Sequence, residues 1–153
     1  MEEKGFVIGF TGTRSGMTKA QKESFYKLID SISVKEFLHG DCVGSDEEAH
    51  NMIHELIEVA KGEDIKIVGH PPKYQKYRAF CKCHVLLKPK EYLDRNKDIV
   101  DSSEILIAVS STDKEKLRSG TWSTIRYARK KNKLIYIILP NGNIKKEGEE
   151  EIW

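Results

Sequence analysis

Glu104-Ile105-Leu106-Ile107-Ala108-Val109-Ser110, a polar linker over 111–118, and then Ser119-Gly120-Thr121-Trp122-Ser123-Thr124-Ile125-Arg126 decide the fold. The first piece is an apolar run of strand length. The last reads as a small-residue turn that opens a helix. A strand, a turn and a helix amino terminus in that order present free backbone N–H groups and the positive end of a helix dipole. That combination suits an anion, phosphate being the usual one.

Two places upstream repeat this logic. Phe6-Val7-Ile8-Gly9-Phe10 is a short buried-strand signal, and Thr11-Gly12-Thr13-Arg14-Ser15-Gly16-Met17-Thr18 follows it. Glycines here let the backbone approach a ligand closely. Thr18 reads as an N-cap with Gln21 completing a capping box, and the helix runs to about Ser31. Its inner face carries Phe25, Leu28, Ile29 and Ile32. The glycine spacing is not Gly-x-Gly-x-x-Gly, so a tight strand-to-helix turn and a phosphate contact are both open readings.

Glu36-Phe37-Leu38 is a second strand, ending in His39-Gly40-Asp41-Cys42-Val43-Gly44-Ser45-Asp46. Ser45 or Asp46 can cap the next helix, which runs to about Lys61. Asp46, Glu47 and Glu48 fall in its first turn, where negative charge is favoured. Asp41 and Asp46 can serve as helix capping groups or accept from ribose hydroxyls, as a carboxylate after a second strand does in nucleotide folds. His50 and His54, one turn apart, read as surface or packing residues.

Ile65–Val68 is a third strand, stopped by Gly69-His70-Pro71-Pro72. Residues 73–83 interleave Lys73, Tyr74, Lys76, Tyr77, Arg78, Phe80 and Lys82. That pattern can stack a base, but a solvated loop is the favoured reading. His84–Leu87 is a candidate short strand. Pro89 starts a helix whose inner stripe is Tyr92, Ile99 and Val100 with Leu93 or Asn96. Arg95 on that helix presents a planar fork of donors that suits phosphate; its structural alternative is an ion pair with Glu91. After the opening stretch, the linker 111–118 is expected to be mobile, and the basic end of the final helix needs no ligand. Leu134–Leu139 is the strongest strand signal, and residues 143–153 read as a loose charged tail.

Alternation of strand and helix about five times gives an α/β, Rossmann-like doubly wound domain over 1–142. Its mainly parallel sheet of about five to six strands carries helices on both faces. In such sheets ligands bind at the carboxyl ends of strands. All three small-residue turns lie there.

The 153 residues suffice for one core, and no apolar run approaches the roughly 18 residues of a membrane span. Met-Glu-Glu-Lys leads straight into a strand and is not a signal peptide. A net charge of +2 is too small to argue for nucleic acid on charge alone. Three cysteines without a secretory signal favour reduced thiols in a cytoplasm. Cys81-Lys82-Cys83-His84, with Cys42, His39 or His70 as distant ligands, invites a metal. Its Cys-x-Cys spacing lacks a second knuckle, so ordinary thiols, no metal and no cofactor are the expectation.

Four pieces together resemble the SLOG superfamily, which joins the bacterial DNA-processing protein A (Smf) with the LONELY GUY cytokinin-activating enzymes. They are Thr11–Arg14, Gly40–His50, Arg95–Val100 and Ser119–Thr121 before a helix. The likeness is greatest to small single-domain members of the YpsA/YspA group. It implies a nucleotide or nucleotide-derived ligand and a homodimer with surfaces near Tyr92 and Tyr127. Carried over by position, Thr11, Gly12, Thr13 and Arg14 resemble the first ligand loop. Gly40, Asp41, Gly44, Ser45 and Asp46 resemble the second. Arg95 with Asn96 resembles the shared arginine segment, and Ser119, Gly120 and Thr121 the phosphate turn. Thr124 stands where the LONELY GUY enzymes carry a catalytic glutamate, so the expected function is binding, sensing or sequestering a nucleotide. The alternatives are N-glycosidic cleavage of nucleoside monophosphates, with Asp41, Asp46 and Arg95 as catalytic candidates, and single-stranded nucleic-acid binding.

Overall fold

A computed structural model describes residues 5–59 and 64–148, and the following refers to these. Strand β1 (Phe6–Gly12) leads to helix α1 (Lys19–Ser31), then β2 (Val34–His39), α2 (Ser45–Val59), β3 (Lys66–Gly69) and β4 (Val85–Leu86). Helix α3 (Tyr92–Ser102), β5 (Ile105–Val109), α4 (Gly120–Lys130), β6 (Leu134–Ile138) and β7 (Ile144–Glu147) complete the chain. One seven-stranded sheet has the order β4-β3-β2-β1-β5-β6-β7, and every pairing is parallel except β6 with β7. The fold is a Rossmann-like, doubly wound α/β domain.

Alternation along the strands sorts the core into two layers. Ile105, Ile107 and Val109 of β5 face one side and join Phe25 and Ile29 of α1 and Ala49 and Ile53 of α2. Leu106 and Ala108 face the other, against Val100 of α3 and Trp122, Ile125 and Ala128 of α4. Helices α1 and α2 therefore cover one face and α3 and α4 the other. The first layer centres on Phe10, Phe25 and Phe37, with ring centroids 5.4, 5.8 and 6.0 Å apart. Edge-on contacts of this kind add to the area they bury.

Local signals explain the helix starts. The capping box at α1 forms in both directions: Gln21 N–H donates to Thr18 Oγ1 at 3.0 Å, and Thr18 N–H to Gln21 Oε1 at 2.9 Å. Gln21 is buried, and its Nε2 also donates to the carbonyls of Ser110 and Ile138, fastening α1 across the ends of β5 and β6. No helix among the described residues is long and apolar enough to cross a membrane.

Three expectations need correction. Residues 144–147 are not a loose tail but the antiparallel edge strand β7, giving seven strands rather than five or six. A bidentate pair fixes it, Arg129 Nε and Nη2 donating to Glu147 at 2.7 and 2.9 Å. Gly142 at φ 90° makes the reversal that a polar composition alone does not announce. The linker 111–118 is tethered: Arg126 holds Glu115 and the carbonyls of Lys116 and Leu117, and Trp122 Nε1 donates to Thr112 Oγ1. On α3, Arg95 takes the inward place expected of Leu93 or Asn96; Leu93 is exposed and Asn96 half-buried. The expected end of α2 near Lys61 lies outside the described residues.

Phe25→Ala removes one ring of the aromatic trio from a fully buried site. It is expected to cost about 3–5 kcal/mol. Urea unfolding is expected to show a lower midpoint with an unchanged slope.

Candidate functional site

The order of strands reverses around β1, which lies between β2 and β5. Chains leaving β2 and β5 run to helices on opposite faces, so a crevice opens at the carboxyl end of β1. The turn after β1 is locked to the start of α2. The Thr13 carbonyl accepts from Gly16 N–H at 3.2 Å, Ser45 N–H at 3.1 Å and Ser45 Oγ at 2.7 Å. Gly44 adopts φ 88°, and any Cβ there would run into the Arg14 backbone. These contacts hold the two turns together and leave Thr11, Gly12, Thr13 and Arg14 along the crevice.

Arg95 enters the crevice from α3 and is buried. Its Nη1 donates to the carbonyls of Gly40 and, at 3.2 Å, His70; its Nε donates to Asn96 Oδ1 at 2.7 Å. Among the described residues Nη2 meets only the Cys42 sulfur, at 3.8 Å. Gly40 is glycine because Arg95 and Asp46 occupy the space a Cβ would take. On the opposite wall Ser119 caps α4, its Oγ accepting from Trp122 N–H at 3.2 Å. That leaves the amides of Gly120 and Thr121, in the first turn, to face outward. A Cβ at Gly120 would meet nothing within 4 Å.

The cleft, open to solvent on one side, holds about 440 Å³, within the range of small-molecule sites. Asp46 is the one carboxylate among the described residues that line it. Burial pushes its carboxyl up to about 6, against the opposing pull of Arg95. Burial, with Asp46 beside it, also pushes the Cys42 thiol up. Arg14 is exposed at the rim, its guanidinium 4.0 Å from the centre of the Tyr77 ring.

Eleven of the sequence candidates line this one cleft: Thr11, Gly12, Thr13, Arg14, Gly40, Asp46, Arg95, Asn96, Ser119, Gly120 and Thr121. Asp41, Gly44 and Ser45 do not. Asp41 is fully buried and spends its carboxylate elsewhere, Oδ2 accepting from Arg78 Nε at 2.9 Å and Oδ1 from Cys81 N–H at 2.8 Å. It anchors a loop rather than facing a sugar. Thr124 is likewise buried outside the cleft, donating to the Gly120 carbonyl at 2.9 Å.

Sequence reasoning missed Phe10, Cys42, Tyr92, Leu93, Ile99 and Ser111 as cleft residues. Ser111 lies two residues past the end of β5, where the rule about strand ends points. Nothing in the sequence marks Cys42, whose place follows from the neighbouring Gly40 carbonyl bonding to Arg95.

No family model and no curated protein matches the chain. Among solved structures, the fold is similar to that of the molybdenum cofactor binding protein from the phototrophic bacterium Rippkaea orientalis. The TM-score is 0.63 at 19% identity, covering 90% of this chain and 78% of that one.

Because the folded pKa of Asp46 lies above its ordinary 3.8, the native state holds that proton more tightly than the unfolded chain. Its contribution to stability is present at low pH and is lost as pH rises through about 6. Asp46→Asn is therefore expected to gain on the order of 1–3 kcal/mol over the parent at pH 8 and almost nothing at pH 4. Urea unfolding of both proteins at the two pH values checks this.

Proposed function

We propose that the chain binds a phosphate-bearing nucleotide or nucleotide-like cofactor in the cleft at the end of β1. The observation that carries this reading is the convergence of a buried guanidinium, Arg95, with the uncrowded first turn of α4 across one cavity. Charge-assisted bonds from Arg95 and Arg14 and the amides of Gly120 and Thr121 would take the phosphate. Tyr92, Leu93 and Ile99 supply an apolar wall for a planar ring. The Tyr92 hydroxyl is buried with no partner among the described residues, which suits a ligand with a polar edge. A fold shared with a molybdenum cofactor binding protein supports a ligand of cofactor size.

A thermal-shift panel of nucleoside mono- and diphosphates, dinucleotides and phosphorylated pterins tests the reading. A ligand at 100 times its Kd is expected to add about 2.7 kcal/mol. Gly120→Ala separates binding from folding. With open space around Gly120, the variant is expected to fold as well as the parent or gain up to about 1 kcal/mol. If phosphate rests on that turn, the new methyl displaces a charged hydrogen bond and affinity falls at least about tenfold. Calorimetry showing undiminished affinity in Gly120→Ala would refute the phosphate placement.

One observation favours a second reading. A carboxyl with a pKa of about 6 can exchange protons near neutrality, so Asp46 is suited to general acid–base work on an N-glycosidic bond. Glycosidic cleavage ordinarily uses two carboxylates, and Asp46 has no second acid beside it in the described lining. Binding without turnover is therefore preferred. Incubation with AMP, NAD and cyclic nucleotides is expected to release no free base; release that Asp46→Asn abolishes would establish the enzyme instead.

A further inference from the structure

Behind the Gly40–Cys42 turn is a cluster of imidazoles and thiols that the cleft does not use. His39 ends β2, His50 lies on α2, and Cys81 and Cys83 lie on the segment before β4; none of the four lines the cleft. The nearest ligand atoms of His39, His50 and Cys81 all lie within 4.8 Å of one another. His39 Nε2 is 3.1 Å from His50 Nδ1 and 3.7 Å from the Cys83 sulfur. A tetrahedral zinc with Zn–N and Zn–S bonds of roughly 2.1 and 2.3 Å spaces its ligand atoms about 3.3–3.8 Å apart. The two histidines are buried, while Cys81 and Cys83 are partly exposed, which gives an ion a way in.

We propose that this cluster binds a thiophilic metal ion, Zn²⁺ or Cu⁺, through His50 Nδ1 and Cys81 Sγ, which already lie within 4.8 Å of each other, and through Cys83 Sγ, which sits 3.7 Å from His39 Nε2 and completes the set by turning its side chain toward them, with His39 as a positioning donor. The roles follow from hydrogen bonding. The Asp41 N–H donates to His39 Nδ1 at 2.9 Å, so a neutral His39 carries its proton on Nε2. Without metal, that Nε2–H is shared with His50 Nδ1. When a metal takes the His50 lone pair, the same N–H turns to the Cys83 sulfur. His39 thereby orients a ligand without being one, as outer-shell groups do in other metal sites.

A metal binds the thiolate form of cysteine, so binding of Zn²⁺ releases one proton to solvent from each thiol it engages, and no electron moves. Asp41 adds a fixed negative charge whose carboxylate already holds Arg78 and the Cys81 amide. The metal would clamp the 78–83 segment onto β2 and α2. A soft N,S donor set selects Zn²⁺ or Cu⁺ over Mg²⁺ or Ca²⁺.

Titration of the reduced protein with Co²⁺, as a spectroscopic stand-in for Zn²⁺, tests the site. One equivalent is expected to produce a thiolate-to-cobalt charge-transfer band and the ligand-field bands of a tetrahedral site, all displaced by Zn²⁺. Cys81→Ser, Cys83→Ser and His50→Gln are each expected to remove the charge-transfer band or reduce it with at least a hundredfold loss of affinity. His39→Gln should keep the band and bind about 10–100-fold more weakly. Cys42→Ser should leave it unchanged. Because core variants can fail to fold, a second measurement uses the parent protein: Zn²⁺ is expected to shield Cys81 and Cys83, but not Cys42, from alkylation read by mass spectrometry. Absence of the band, its loss in Cys42→Ser, its survival in the Cys81→Ser/Cys83→Ser double variant, or equal alkylation with and without Zn²⁺ would overturn the proposal.

Discussion

A buried arginine with no full ion pair among the described residues organises this molecule. Desolvating a guanidinium is expensive, and the structure offsets the cost mainly with dipoles: the carbonyls of Gly40 and His70 and the side-chain oxygen of Asn96. The nearest buried carboxylate, Asp46, is itself reluctant to ionise. Arg95 therefore draws together the ends of β2 and β3 and the first turns of α3, and it leaves part of its positive charge uncompensated at the wall of a cleft. On the proposed reading, that charge is what a phosphate would meet on entering the cleft. Arg95 is also why Gly40 must be glycine: a methyl group there would push the guanidinium out of its socket.

Asp41 does for the back of the site what Arg95 does for the front. Its backbone sits at φ 53°, a conformation that aspartate tolerates better than most residues. In that geometry three of its groups act in different directions. The amide donates to His39, the carbonyl accepts from Ala79 N–H at 2.8 Å, and the carboxylate takes Arg78 and Cys81. The turn that presents Gly40 and Cys42 to the cleft is thus pinned from behind by the 78–81 segment. Breaking the Arg78–Asp41 pair would strand a fully buried carboxylate, the costly way to lose such a contact.

Much of this was legible in the sequence. The apolar run at 105–109, the capping box at Thr18 and Gln21, and the three small-residue turns each carry a local physical signal, and the structure places each where that signal says. Arg95 was legible as a residue that meets the small-residue turns, and it does line their cleft, though its burial was not legible. Periodicity along α3 offered Leu93 for the inner face, because hydrophobicity cannot register two backbone carbonyls waiting at the end of another element. Asp41 was misread for the same reason. A carboxylate after a second strand has the right place for a sugar, and only tertiary contacts reveal that Arg78 and Cys81, some 40 residues on, have claimed it. His39 was offered as a distant partner of the Cys81 and Cys83 pair, but the place of His50 beside them was hidden, since the metal-binding spacings readable from sequence are local and His50 comes from another element.

Topology and chemistry are set by different parts of the chain. The crevice exists because the sheet reverses its winding at β1, and any sequence of this fold has one there. What the crevice prefers is decided largely by α3, whose one turn supplies Tyr92, Leu93, Arg95 and Asn96 to its wall. Leu93 is exposed at that wall and adds little to the core, and Tyr92 keeps a hydroxyl with no partner among the described residues. Residues that contribute little to folding and stand beside a buried cation are where ligand selectivity can change without endangering the fold. The rigid turns at Thr13 and Ser119 would then hold the anion in common across ligands, while α3 distinguishes the group attached to it.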